Sequence, residues 1–168
     1  SHIKSIFYII NFILIALYHL MNISQIAKLL NRDYPLLLLD GVKEIEKNKY
    51  CRAFKNLSYN EWFFPKHFPK SPIFPGSLQI EAFTQAVAIP LLIGRKIDSN
   101  RPVPILLAGV DKVRYYAPVK PGNKFDINVK IDRLVAGIAS ATAKGFVKNK
   151  IVSECKITYK MFDGDNYE

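Results

Sequence analysis

Cysteine is scarce in this chain of 168 residues: Cys51 and Cys155 stand far apart and form no CxxC pair. That argues against a disulfide-stapled scaffold and a thiolate zinc site, and for two reduced, buried thiols in a cytosolic protein. Histidine is scarce too. His2, His19 and His67 show no metal-ligand spacing. Neither GxGxxG nor GxxxxGK[ST] occurs, so the common glycine-rich nucleotide loops are absent. The sequence has no internal repeat, low-complexity tract or Gly/Ser linker that would divide it into two domains. Hydrophobic residues make up 49% and charged residues 23%, a globular composition with enough apolar bulk for one sizeable core.

Acidic residues are in short supply: 14 against 24 lysines and arginines, a net charge of +10. Such a balance points to an acidic partner. Nucleic acid is disfavoured, because the basic residues are scattered and no zinc-finger or RNP-type motif is present. An acidic protein carrier or an anionic substrate fits as well, and so does a plainly solvated basic surface.

One long apolar run stands out. Residues 3–20, IKSIFYIINFILIALYHL, contain Lys4 as their only fully charged side chain and approach the ~18–20 residues needed to span a bilayer. No small-x-small cleavage site follows. After Met21, NISQIAKLLNRDYP reads as the start of an ordinary soluble domain. The expectation is therefore an N-terminal extension over residues 1–20, upstream of the native start or foreign to it, and a single domain over residues 21–168. Membrane contact through residues 3–20 is the less favoured reading.

Helical spacing covers Ile23, Ile26, Ala27, Leu29 and Leu30, with Ser24 as the expected cap. Strand, turn and strand follow, the turn around residues 46–49. Residues 59–75 form a proline-rich loop. GSLQIEAFTQAVAIPLLIG, residues 76–94, predicts a helix apolar on most sides and hence buried, with Ser77 near its N-cap and Pro90 as a kink or interruption. About four strands complete the chain, with alternation clearest at Phe125, Ile127, Val129, Ile131 and at Ile151, Ser153, Cys155, Ile157, Tyr159. A buried helix with a mostly antiparallel sheet around it is an α+β arrangement.

Chemistry should sit where polar groups interrupt this apolar pattern. Glu81 and Gln85 share one face of the buried helix. A carboxyl there is costly unless paired or neutralised, and in apolar surroundings it is able to hold or donate a proton. His67 lies in PKHFPKSPIFPG, where Pro65, Pro69, Pro72 and Pro75 stiffen the backbone and Phe64, Phe68, Ile73 and Phe74 supply dry walls. The loop delivers Gly76 to the start of the helix, where unpaired N–H groups favour a developing oxyanion. A base, an acid and an oxyanion donor suit proton removal beside a carbonyl with loss of a neighbouring group. Ser71 and Ser77 keep a serine nucleophile open, and sequence spacing leaves open whether His67 and Glu81 meet within one chain or across a dimer.

YPLLLLDGV, KNLSYNEWFFPKHFPKSPIFPGSLQIEAFTQA and VRYYAPVKPGN together resemble the FabZ-type β-hydroxyacyl-acyl carrier protein dehydratases of bacterial fatty acid synthesis, in order from about Asn22 to Phe162. The resemblance implies a hotdog fold, a curved antiparallel sheet wrapped around a long central helix, in a cytoplasmic protein. It implies homodimers, with a trimer of dimers as the larger assembly, and composite sites pairing His67 of one subunit with Glu81 of the other. It further implies that the Gly76 N–H polarises the thioester carbonyl, and that the substrate arrives on the phosphopantetheine arm of acyl carrier protein, with no metal or redox cofactor. Gln85 would orient Glu81 or line the site, and Phe68, Phe74, Ile80 and Phe83 would line the acyl tunnel. The chain departs from the family at Lys66 and Lys70, where glycines flank HFP, and at Gln79, where the family is usually apolar. The lysines remove backbone freedom and are candidates for contact with the acidic carrier. Relatives that also isomerise the double bond carry aspartate at the position of Glu81. A hotdog thioesterase and a non-catalytic carrier-binding module are the rival readings.

Overall fold

The computed structural model describes residues 21–95 and 105–162; the apolar run at 3–20 lies outside them. The chain opens with β1 (Met21–Asn22) and α1 (Ile23–Leu30). The N-cap is Asn22 rather than Ser24. The Asn22 side chain accepts from the Gln25 N–H at 3.0 Å, and the Gln25 side chain accepts from the Asn22 N–H at 2.9 Å. This reciprocal capping box satisfies two otherwise orphaned donors and leaves Ser24 inside the first turn. Asn31 closes the helix in the left-handed region, at φ 48°.

β2 (Gly41–Glu46), β3 (Tyr50–Asn56), β4 (Ile105–Tyr115), β5 (Lys124–Val135), β6 (Ile138–Val147) and β7 (Lys150–Met161) join β1 in one seven-stranded sheet. The order is β1-β2-β3-β5-β6-β7-β4, antiparallel at every pairing. Its tight turns follow from local chemistry. Val135 pairs with Ile138 and Val147 with Lys150, so two residues close each hairpin. Both residues of each loop, Ala136-Gly137 and Lys148-Asn149, have positive φ, the geometry that matches strand twist.

α2 (Gly76–Leu92) lies against β3, β5, β6 and β7. Ala82 through Leu92 are all buried, as an all-round apolar helix requires. Pro90 does not end the helix, which runs on through Leu92. So near the C-terminus, the missing N–H costs a single bond, and the Pro90 carbonyl accepts from Asn48 N–H at 2.9 Å, tying the β2–β3 turn to the helix end. Ser77 is not the cap either: Pro75 occupies the N-cap, and its carbonyl accepts from Leu78 and Gln79 at 3.0 Å each.

Two further features bear on the site. β4 lies at one end of the sheet, and Ile105 is the one buried residue along it; Leu106 and Leu107 are about half exposed. Beneath the proline-rich loop, Lys55 on β3 is buried and forms an ion pair with Glu61 at 2.7 Å. Removing one partner of such a pair strands a charge in low dielectric. Glu61→Ala is expected to cost about 2 kcal/mol, somewhat below the usual range for a buried pair because Glu61 keeps some contact with water. That should appear as a fall of roughly 4–8 °C in Tm by calorimetry. An unchanged Tm would mean that Lys55 reaches water without its partner.

Candidate functional site

The loop before α2 is pinned at both ends by aromatic rings. Phe63 and Phe64 are buried where the chain enters a short 3-10 turn (Phe64–Lys66), and Phe74 is buried at the exit. Phe63 and Phe74 stack with centroids 5.2 Å apart, and Phe74 meets Phe125 of β5 at 5.6 Å. The Phe74 N–H donates to the Val119 carbonyl at 2.7 Å. Between these anchors the backbone rises to the surface and presents His67, half-buried, with its ring edge-on to Phe68 at 4.4 Å.

His67 is oriented from within its own loop. Nδ1 lies 3.1 Å from the Ile73 carbonyl. A carbonyl only accepts, so Nδ1 carries the proton and, in the neutral ring, Nε2 keeps its lone pair. Lys66 and Lys70 flank the motif, both exposed and neither with positive φ; the left-handed residue here is Phe68, at φ 56°. Lysine in place of glycine is therefore accommodated without backbone strain.

Glu81 projects from α2 at intermediate burial. Gln85 Nε2 donates to Glu81 Oε1 at 2.9 Å and to the Leu36 carbonyl at 2.5 Å, and Gln85 Oε1 accepts from Leu38 N–H at 3.0 Å. The buried Gln85 amide thus ties the carboxyl to the segment after α1. Beside Glu81 runs a cleft of about 590 Å³ whose walls include Arg32, Thr84, Leu106, Leu107 and Tyr159. No residue of the His67 loop lines it. Within one chain, Glu81 faces toward the β4 edge, on a surface to which His67 does not contribute.

Gly76 opens α2, where its N–H has no intrahelical acceptor. Its lack of a side chain is required: a Cβ would lie 2.7 Å from the Tyr115 ring. Tyr115 Oη donates to the Gly76 carbonyl at 2.7 Å. Burial, and secondarily Cys155, raises the Tyr115 pKa, so the phenol stays a donor. Burial likewise pushes Tyr159 up to about 12, and that hydroxyl donates to the Thr84 carbonyl at 3.0 Å. Of the residues expected to line a tunnel, Ile80 is half-buried and Phe68 is exposed. Phe74 and Phe83 pack on Phe125 in the core, at 5.6 and 5.7 Å. Burial raises both thiols, Cys155 to about 12 and Cys51 further, so neither is a nucleophilic thiolate near neutral pH. Tyr115, Tyr159 and Ser153 escaped the sequence reading because their partners lie 39 to 75 residues away.

Residues 30–156 match the family model described as FabA-like domain. The 3-hydroxyacyl-[acyl-carrier-protein] dehydratase FabZ of Clostridium beijerinckii is 36% identical over 144 residues, covering 84% of this chain and 99% of that protein. The FabZ of Oceanobacillus iheyensis is 37% identical over 140 residues, covering 83% and 98%. Among solved structures, the dehydratase heterocomplex ApeI:P from Xenorhabdus doucetiae aligns with a TM-score of 0.66 at 15% identity, over 83% of this chain and 91% of that one, a likeness of fold alone. Family match, near-full-length relatives and sheet topology agree: the chain belongs to the FabA-like family, on its FabZ-type branch, and has that family's hotdog fold.

Proposed function

We propose that this protein dehydrates (3R)-hydroxyacyl thioesters of acyl carrier protein to the trans-2-enoyl products, as its FabZ relatives are named to do. The observation that carries the chemistry is the pair of held side chains, His67 with Nε2 free and Glu81 fixed through Gln85. His67 Nε2 takes the proton from the carbon next to the thioester carbonyl, and the C–H electron pair moves toward the carbonyl. The Gly76 N–H stabilises the oxyanion. Collapse of the enolate breaks the bond to the β-hydroxyl, to which Glu81 delivers a proton, and water leaves. The proton gained by His67 passes back to Glu81, so the site is restored with no net change.

The site is completed by a second copy of the chain. Among the described residues, the Glu81 cleft ends at the β4 edge of the sheet, where Leu106 and Leu107 stand exposed. An unpaired apolar edge is covered in functional proteins. A partner adding its own β4 there would bring its His67 loop toward Glu81. Lys66 and Lys70 then flank the entrance, suited to an acidic carrier in a chain of net charge +10.

The purified chain, offered an enoyl carrier-protein thioester, is expected to remove enoyl absorbance reversibly without releasing free thiol. Thiol release would make it a thioesterase. Carrier binding with no change in absorbance would make it a binding module.

A further inference from the structure

The peptide unit joining Pro75 to Gly76 is held from both sides. On one side, Gln79 Nε2 donates to the Phe74 carbonyl at 3.2 Å. On the other, Tyr115 Oη donates to the Gly76 carbonyl at 2.7 Å. Between them, the Pro75 carbonyl takes the Leu78 and Gln79 N–H groups at 3.0 Å each. Three successive carbonyls are thus fixed, and the remaining group, the Gly76 N–H, points where those three dictate.

Both side-chain donors are referred to one place on the sheet. Ser153 of β7 donates to Gln79 Oε1 at 2.7 Å, and Tyr115 of β4 is the register partner of Ser153. Ser153 is fully buried and Gln79 nearly so, and the bond between them satisfies two groups that would otherwise be costly. The neighbouring strand leaves space on this side: a Cβ on Gly145, opposite Ser153, would lie 2.4 Å from the Phe125 ring and 2.9 Å from the serine hydroxyl. Gln79 is one of three buried polar side chains on α2, with Thr84 and Gln85, and packing alone would be served by leucine. Its two hydrogen bonds account for it.

We infer that Ser153, Gln79 and Tyr115 form a clamp that fixes the orientation of the Gly76 N–H, acting as positioning residues for the oxyanion donor. The inference rests on the dehydratase reading for its catalytic consequence, but not for the clamp itself. Tyr115 stiffens the carbonyl side through its hydroxyl and blocks movement through its ring, which occupies the space of the absent Gly76 side chain. Gln79 holds the preceding peptide from inside the core.

The test uses the full chain and two variants that retain packing. Tyr115→Phe keeps the ring over Gly76 and removes only the hydroxyl. Gln79→Met combined with Ser153→Ala removes both buried polar groups together, so neither is left unpaired. In each, the amide order parameter of Gly76 by NMR relaxation is expected to fall from a rigid ~0.85 toward ~0.6. For enoyl-thioester hydration, kcat should fall about tenfold, less than the loss of an oxyanion donor itself, with KM changing less than about twofold. Gly76→Ala, which displaces Tyr115, should combine with Tyr115→Phe less than additively. An unchanged Gly76 order parameter in both variants would overturn the clamp. A fall in the order parameter in a chain that hydrates no enoyl thioester would leave the clamp standing and remove the assignment of the reaction.

Discussion

His67→Ala is expected to lower turnover of a hydroxyacyl carrier-protein thioester about a thousandfold, the middle of the range for losing a positioned general base. The geometry argues for so large an effect. His67 Nδ1 is committed to the Ile73 carbonyl, leaving Nε2 as the one basic atom of the ring. The loop that carries it is anchored by Phe63, Phe64 and Phe74, so its place is set before substrate arrives. A ring that need not be ordered on binding contributes to the chemical step rather than to affinity. KM should therefore stay within about threefold while kcat collapses, a change made only in the transition state. The fold should survive: the ring is half-buried and its one bond is to a loop carbonyl. Steady-state kinetics on the variant, with circular dichroism as the control for folding, decide it. Wild-type kcat would remove His67 from the reaction.

Why this residue was visible in the sequence, and others were not, follows from the range of the interactions. His67, Gly76 and Glu81 lie within fifteen residues, in a stretch whose prolines and aromatics make a stiff loop legible without coordinates. The burial of α2 was readable because apolar residues surround it, and the β5, β6 and β7 hairpins because alternation and turn residues are local. Local signals mislead where two of them compete. Ser24 and Asn22 are both good caps, and the choice falls to Asn22 through its reciprocal partner Gln25. Ser77 looks like a cap, but Pro75 enters the helix first. The tether from Ser153 to Gln79 spans 74 positions and that from Tyr115 to Gly76 spans 39. Nothing local announces either, since register across the sheet creates both. The glycine at 76 shows the difference well. Its sequence position suggested a free N–H at a helix start, whereas the atom that forbids a larger residue belongs to Tyr115.

Glu81→Gln is expected to be as damaging as His67→Ala, and the two inactive proteins should restore each other. Glutamine keeps the shape and the bond from Gln85 but cannot deliver a proton to the departing hydroxyl. If each site takes His67 from one subunit and Glu81 from its partner, both homodimers are dead. A heterodimer of the two variants has one site with both substitutions and one with neither. Random exchange of equal amounts makes half of all dimers mixed, so about a quarter of the sites become wild type in composition. Activity should rise from background to about a quarter of the wild-type level after mild unfolding and co-refolding, but not on simple mixing if the dimers exchange slowly. The apolar edge of β4, which pairs on one side only among the described residues and where the Glu81 cleft ends, is the surface on which such a pairing would form. A site contained within one chain predicts the opposite result: each protomer carries one lesion, no rearrangement of subunits repairs it, and the co-refolded mixture stays at background. The experiment therefore separates a shared site from a solitary one without any knowledge of which acyl chain the enzyme prefers.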